Sequence, residues 1–306
     1  MKPLISVVIP VYNICNYVGK CLESVCGQSY ENIEIIVVDD GSTDGSSKIC
    51  DEFTKNDKRV KVFHRKNGGL SAARNFGISK AHGDFVALVD GDDWVQRNYA
   101  AEMVKALDEK TDIVVCGYNN VVPKQEETSG KEAAVKLLIG QENLDIVAWN
   151  KLYRRSLFDD IKYPDGEKHE DSLTTYKLLA LARVVKYVPE SLYMYETREG
   201  SIMNQTEILS RLKVRKKAAE EAVNYFSGDD DLEQAAKIAV LTAKYAFVDA
   251  VVRGEIDKKY YAKNREWVLV HQGEYLRNKY LTRKLKIYNL MIGGVFYKIF
   301  RKIRHE

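Results

Sequence analysis

Short apolar runs punctuate the first third of the chain. Residues 4–11 (Leu-Ile-Ser-Val-Val-Ile-Pro-Val) are mostly β-branched and read as a central parallel strand, ending at Pro10 because proline has no N–H for the ladder. Residues 33–38 and 85–89 repeat the pattern, and 60–64 is a shorter version. Between these runs the period changes. Tyr17, Val18, Cys21, Leu22 and Val25 fall at three- and four-residue steps within 16–27, which is helical spacing. The turn Asn67-Gly68-Gly69 opens a helix over 70–80, and a further helix is predicted over about 96–109 before a strand at 112–116. Strand and helix alternate, so the prediction is α/β: a mostly parallel sheet with helices on both faces.

Later segments are read the same way. Residues 173–181 form a helix, and 184–188 and 191–195 form strands. Residues 208–226 and 232–252, rich in Ala, Lys and Glu, are two helices of a C-terminal helical appendage. The predicted organisation is an α/β domain over 1–203, split into 1–119 and 120–203, then the appendage at 204–276 and a tail at 277–306.

Composition narrows the class. With 306 residues, 30% charged and 45% apolar, the chain is an ordinary soluble globular protein. A formal net charge of +3 is too small for a nucleic-acid binder. The tail alone carries nine Lys/Arg and one acidic residue, which leaves the rest at about −5. The five cysteines include no CxxC pair, so buried reduced thiols in a reducing cytoplasm are expected. Residues 4–11 are too short for a signal peptide, and no apolar stretch is long enough to span a bilayer.

The candidate chemistry lies where strands end. The run 85–89 leads into Asp90-Gly91-Asp92-Asp93, three carboxylates that a hard divalent cation would relieve of their repulsion. The alternative is an acidic turn with Asp93 as N-cap before Trp94. Strand 33–38 leads likewise into Asp39-Asp40. Successive parallel strands place both turns on one carboxyl edge, where open α/β sheets bind ligands. No GxGxxG follows the first strand and no Walker lysine motif appears, so a nucleotide site with a metal is expected rather than a dinucleotide site.

Four motifs in this order, 5–13 (Ile-Ser-Val-Val-Ile-Pro-Val-Tyr-Asn), 37–44 (Val-Val-Asp-Asp-Gly-Ser-Thr-Asp), 67–75 (Asn-Gly-Gly-Leu-Ser-Ala-Ala-Arg-Asn) and 90–93, closely resemble family 2 glycosyltransferases of the GT-A fold. The resemblance is clear over residues 4–119 and weaker to about 203. It implies a nucleotide-sugar half, 1–119, and an acceptor half, 120–203. Pro10, Val11 and Tyr12 would line a uracil pocket, and Asp40 would accept from the uracil N3–H. Asp39, Asn67, Arg74 and Gly91 would belong to the same nucleotide site. Asp90 and Asp92 would form the DxD-type motif holding Mn2+ or Mg2+, with Asp92 the leading ligand. Asp171, in Glu170-Asp171 at a helix start, would be the catalytic base, although acidic residues there also simply suit the helix dipole. Arg198 and Ser201 resemble a closing loop over the diphosphate.

The resemblance thus implies an inverting, metal-dependent transfer from a UDP-sugar to a saccharide or lipid-linked saccharide acceptor, in cell-surface polysaccharide assembly. Trp149-Asn150-Lys151-Leu152-Tyr153 is either a sugar-stacking surface or a buried strand with Trp149 in the core. In the tail, Leu285, Tyr288, Ile292, Val295, Phe296, Ile299 and Ile303 recur on one helical face, with Lys298, Arg301, Lys302 and His305 on another. That pattern fits a peripheral helix on the anionic inner face of the cell membrane, or a helix docked on the protein itself. A homodimer is left open. So are a catalytically silent nucleotide-sugar-binding partner subunit, which loss of Asp92 or Asp171 would have favoured although both are present, and a lectin-like or scaffold protein, which would not need the acidic turns.

Overall fold

A computed structural model of the chain describes residues 2–141, 146–197 and 208–291, the side chains of 288–291 excepted. The N-terminal apolar run becomes the middle of a sheet. Every residue of β1 (Ile5–Val11) is buried, because β2 (Ile33–Asp39) pairs with it on one side and β4 (Phe85–Leu88) on the other, both parallel. β3 (Val60–His64) adds in parallel to β2. Three helices make the crossovers: α1 (Val18–Cys26), α2 (Ser46–Asn56) and α3 (Leu70–Ser79). Buried Val18, Cys21, Leu22 and Val25 give α1 its inward stripe.

Pro10 lies inside β1, not at its end. Val8 turns its carbonyl toward β4, accepting from Val89 N at 3.1 Å, and Pro10 two residues on faces the same side. There β4 has already stopped, so the missing N–H costs no ladder bond.

Beyond β4 the sheet is mixed, where the sequence predicts a mostly parallel one. In chain order the remaining strands are β5 (Trp94–Val95), β6 (Thr111–Tyr118), β7 (Glu127–Ser129), β8 (Lys151–Arg154) and β9 (Val184–Met194). The sheet order is β3-β2-β1-β4-β8-β6-β9-β5, with β7 also on β9. β8 runs antiparallel between β4 and β6, while β6 and β9 are parallel. The chain enters β8 from the carboxyl edge, and a strand entered there must run backwards. A buried apolar run looks the same in either direction, which is why the pattern could not show it.

Two boundaries also differ. The helix predicted over 96–109 is only α4 (Tyr99–Lys105), because Trp94 and Val95 pair with Met194 and Tyr193 and Gln96 N donates to Leu192 O at 2.8 Å. Asp93 therefore caps no helix. Residues 184–194 are one strand, with its register against β6 jumping from Val188 to Ser191. Opposite the jump, a Cβ on Gly117 would sit 2.9 Å from Glu190 O and 2.4 Å from Val121 O, so only glycine fits. At the far edge, buried Asp112 accepts from Arg154 Nε at 2.5 Å and from Arg183 N and Nε at 2.8 and 2.9 Å, tying β6, β8 and the start of β9 together. Two more helices fall between these strands in chain order, α5 (Gly130–Leu138) and α6 (Thr175–Leu181).

The chain divides into two compact units, Met1–Ala134 with Asn143–Ser201, and Val135–Glu142 with Ile202–Glu306. The second holds α7 (Ile208–Tyr225), α8 (Asp230–Val252), α9 (Lys259–Leu276) and α10 (Arg283–Met291). Asp229 caps α8, accepting from Leu232 N at 3.2 Å. Ile238, Leu241, Tyr245 and Val248 of α8 meet Val268, Tyr275 and Leu281 in a core of their own, with Leu285 packed against it. Buried Lys244 is held there by the Trp267 ring at 4.7 Å and Glu220 at 3.6 Å. Of the amphipathic pattern in the tail, residues 292–305 lie outside the described residues. No described helix is long and apolar enough to cross a membrane.

Candidate active site

Strand polarity decides which residues meet. The carboxyl ends of β1, β2, β4, β6 and β9 and the amino end of β8 all open on one edge. Tyr12, Asp39-Asp40, Asp90-Gly91-Asp92-Asp93, Tyr195 and Trp149-Asn150 are therefore collected there.

The loops after β1 and β2 brace each other. Asn13 N donates to Ser42 Oγ at 3.1 Å, Thr43 N to Asn13 Oδ1 at 2.8 Å, and Cys15 N to Asp44 Oδ2 at 2.9 Å. Tyr12, just past β1, is 51% exposed, whereas Pro10 and Val11 are buried, Val11 in the core. Of the three expected pocket residues, only Tyr12 presents a ring at the surface. The aspartate pair divides its work. Asp39 accepts from Ser42 N and Ser47 Oγ and lies 2.9 Å from His64 Nδ1. Asp40, 2% exposed, accepts from Gly68 N at 3.0 Å and Gly69 N at 2.7 Å and pairs with Arg65 at 3.2 Å. Its visible bonds hold the loop before α3 against the sheet; exposed Asn67 opens that loop.

At the end of β4, Gly91 tucks under β1. A Cβ there would lie 2.7 Å from Pro10 O and 2.6 Å from Ile14 Cδ1. That close approach turns Asp90 and Asp92 outward as half-buried side chains and sends Asp93 inward. Asp93 is 1% exposed; it accepts from Tyr193 Oη at 2.6 Å and Glu196 N at 2.8 Å. Tyr193 Oη in turn accepts from Asp90 N at 3.1 Å. Burial, with Asp90 beside it, pushes the Asp93 carboxyl up to about 8.

Arg74 is not a surface arginine. It is 2% exposed; one arm donates to Asp90 Oδ1 at 2.5 Å and the other to Glu170. Burial opposes its charge, but Asp90 and then Glu170 outweigh that and hold the guanidinium ionised. Glu170 and Asp171 begin a short 3-10 helix, Glu170–Leu173, preceded by His169 at φ 57°. Glu170 is 4% exposed and turned inward. Asp171 is half-buried, and its Oδ1 accepts from Ser172 N at 2.7 Å. Burial pushes the Asp171 carboxyl upward and Asp90 adds to it, while Arg74 and Lys151 pull it down. Lys151 is fully buried, donating to Val147 O at 2.8 Å and Asn150 Oδ1 at 2.9 Å. Trp149 belongs to the core: it is 7% exposed, and Tyr193 and Tyr195 stack on it at 4.5 and 5.4 Å. Arg198 and Ser201 lie outside the described residues.

Sequence reasoning missed Asp93 as a site residue, Tyr193, Lys151 and the inward role of Glu170. Lys151 left a signal, a charge inside an apolar strand; Tyr193 left none. Among the described residues no cluster of three or more His, Cys, Asp or Glu is arranged as a metal site. Asp90 and Asp92 nevertheless suit a hard cation held by one or two carboxylates plus donor phosphates, since Arg74 engages only one Asp90 oxygen.

A sheet that brings acidic turns from β2 and β4 to one carboxyl edge, beside a half-buried aspartate from the second half of the domain, is the build of the GT-A glycosyltransferases. The chain belongs to glycosyl transferase family 2, whose model matches residues 6–162. Glycosyltransferase GlyG of Streptococcus pneumoniae is 37% identical over 222 residues, 66% of this chain and 74% of GlyG. Across three curated relatives at 36–37% identity, the aligned part covers 31–74% of the relative's own length. S. aureus TarS 1–349 in complex with UDP-GlcNAc has the same fold, with a TM-score of 0.71 at 20% identity over 99% of this chain and 91% of that one. Mannosyltransferase PcManGT from Pyrobaculum calidifontis, in complex with GDP-Man and Mn2+, follows at a TM-score of 0.60 and 16% identity, over 100% and 88%.

Proposed function

We propose that the chain is an inverting glycosyltransferase that moves a sugar from a UDP-sugar to a hydroxyl of a saccharide or lipid-linked saccharide acceptor in cell-surface polysaccharide assembly. The observation that carries this is Arg74, which ties the β4-end Asp90, next to Asp92, to the Glu170-Asp171 turn, with exposed Tyr12 on the same edge for the base. The TarS complex with UDP-GlcNAc supports the choice of donor.

Asp90 and Asp92 would hold a Mn2+ or Mg2+ ion. Such an ion, when bound, neutralises charge on the leaving diphosphate. Asp171 is the base. One of its oxygens accepts from Ser172 N, and the other accepts no bond from the described residues, which leaves it for the acceptor hydroxyl. The hydroxyl proton passes to that oxygen as the acceptor oxygen bonds to the anomeric carbon. The bond to the β-phosphate oxygen breaks on the opposite face, and its electron pair leaves with UDP. A carboxyl shifted upward by burial makes a stronger base than an exposed aspartate. We extend the proposal to the membrane: the tail holds the enzyme on an anionic surface beside its acceptor.

The test is nucleotide release from a panel of UDP-sugars and GDP-mannose. UDP release from at least one UDP-sugar, stimulated by a saccharide acceptor, is expected. Release from GDP-mannose alone would overturn the donor assignment, and UDP binding without turnover would make the chain a binding subunit.

A further inference from the structure

The Glu170-Asp171 pair is adjacent in sequence but split in space. Asp171 is half-buried at the site, whereas Glu170 points into the protein against Arg74. Glu170 is 4% exposed, and its carbonyl accepts from Thr174 Oγ1 at 2.8 Å, so the turn that carries it is fixed. Arg74 has little else to hold it. Its Nε is buried without a hydrogen-bond partner, and the Tyr163 ring lies 5.6 Å from the guanidinium. The planar fork is therefore aimed by two carboxylates, one from each half of the domain.

We propose that Glu170 is a positioning residue for the donor half: through Arg74 it sets where Asp90 stands and how much negative charge Asp90 keeps for a metal–diphosphate. Two effects act in the same direction. Without the Glu170 carboxylate, one arm of the fork loses its anchor and Asp90 loses its fixed orientation. The guanidinium charge is then balanced by Asp90 alone, and a carboxylate drawn harder onto an arginine is a poorer ligand for a cation. A residue of the acceptor half thus controls donor affinity without touching the donor. The inference rests on Asp90 and Asp92 being the donor site. Partners that orient metal ligands typically contribute about 10- to 100-fold in affinity, and the same scale is expected for Glu170.

The experiment is calorimetric titration of UDP, with and without Mn2+, into wild type, Glu170→Gln, Glu170→Asp, Asp90→Asn and the Glu170→Gln/Asp90→Asn double variant. Glu170→Gln should weaken Mn2+-dependent UDP binding by about 10- to 100-fold and leave metal-free UDP binding unchanged. Glu170→Asp should recover part of the loss. In the Asp90→Asn background Glu170→Gln should add little, because both changes act on one unit. Unchanged Mn2+-dependent binding in Glu170→Gln, additive losses, or equal loss with and without metal would each overturn the proposal. If Glu170→Gln does not fold, Arg74→Lys, which keeps the charge and drops the fork, takes its place under the same criteria. Absence of Mn2+-dependent UDP binding in wild type would instead overturn the donor-site reading itself.

Discussion

Asp171 and its neighbours show how the environment of one side chain sets its chemistry. Glu170 and Asp171 share a turn, yet contact with Arg74 makes one an anchor and leaves the other facing the site. Asp171→Asn should bind UDP almost as wild type and lose transfer by at least about 100-fold, the low end for removing a general base. In the proposed role as base Asp171 works only when ionised, and its carboxyl is shifted upward by burial, so transfer should rise with pH through a midpoint above the ordinary aspartate value of about 3.9. A rate profile flat in pH, or equal loss of rate and donor affinity in Asp171→Asn, would make Asp171 a structural residue. The residues legible in the sequence were those whose meaning is local. Asp39 ends an apolar strand and Asp40, Asp90 and Asp92 follow one, and a strand end followed by a polar turn can be read without knowing its partners. Arg74–Glu170 and Asp93–Tyr193 join positions about a hundred residues apart, and no local pattern encodes which side chain another one meets.

At the scale of strands and turns, strain is concentrated at one edge. The non-glycine residues with positive φ among the described residues are Asn13, Asn119, Asn120, Asn150 and His169. Asn13, Asn119, Asn120 and Asn150 lie where β1, β6 and β8 meet the carboxyl edge, and His169 precedes the Glu170-Asp171 turn. Left-handed backbone at non-glycine residues costs about 1 kcal/mol or more each and persists where surrounding bonds fix it, commonly at functional sites. The opposite edge is built for stability. Asp112 is buried, and although burial raises its carboxyl, hydrogen bonds from Arg183 and Arg154 bring it down to about 2. A depressed carboxyl stabilises the fold at pH above its unfolded value near 3.9, and that contribution is lost as pH falls toward about 2. Asp112→Asn should therefore cost about 2 kcal/mol near neutral pH, less than for a fully buried pair because Arg183 reaches solvent. Urea melts at pH 7 and pH 3 check this; a difference from wild type that does not shrink at pH 3 would refute it. β1 to β4 were readable because each crossover helix forces a parallel neighbour. β8 was not, since its direction depends on where a long excursion returns.

Across the whole molecule, the second unit has a core of its own that reaches Leu281 and takes in Leu285. A test of the tail as a membrane anchor should spare both, so the truncation belongs after Ile287. The removed segment carries Lys298, Arg301, Lys302 and Arg304, each contributing about 1 kcal/mol near an anionic surface. The full chain should float with phosphatidylserine liposomes at low salt, and the version ending at Ile287 should stay behind. Equal flotation of the two would place any membrane contact elsewhere. Donor binding at the carboxyl edge remains the claim on which the activity depends. The most direct measurement is calorimetric titration of UDP with Mn2+ into wild type and Asp92→Asn, alongside the thermal melting midpoints of both proteins. Wild type should bind UDP in a Mn2+-dependent way; Asp92→Asn should lose that binding with little change in midpoint, because the side chain is only half-buried. Wild-type affinity in Asp92→Asn would contradict the assignment of this edge as the metal–donor site.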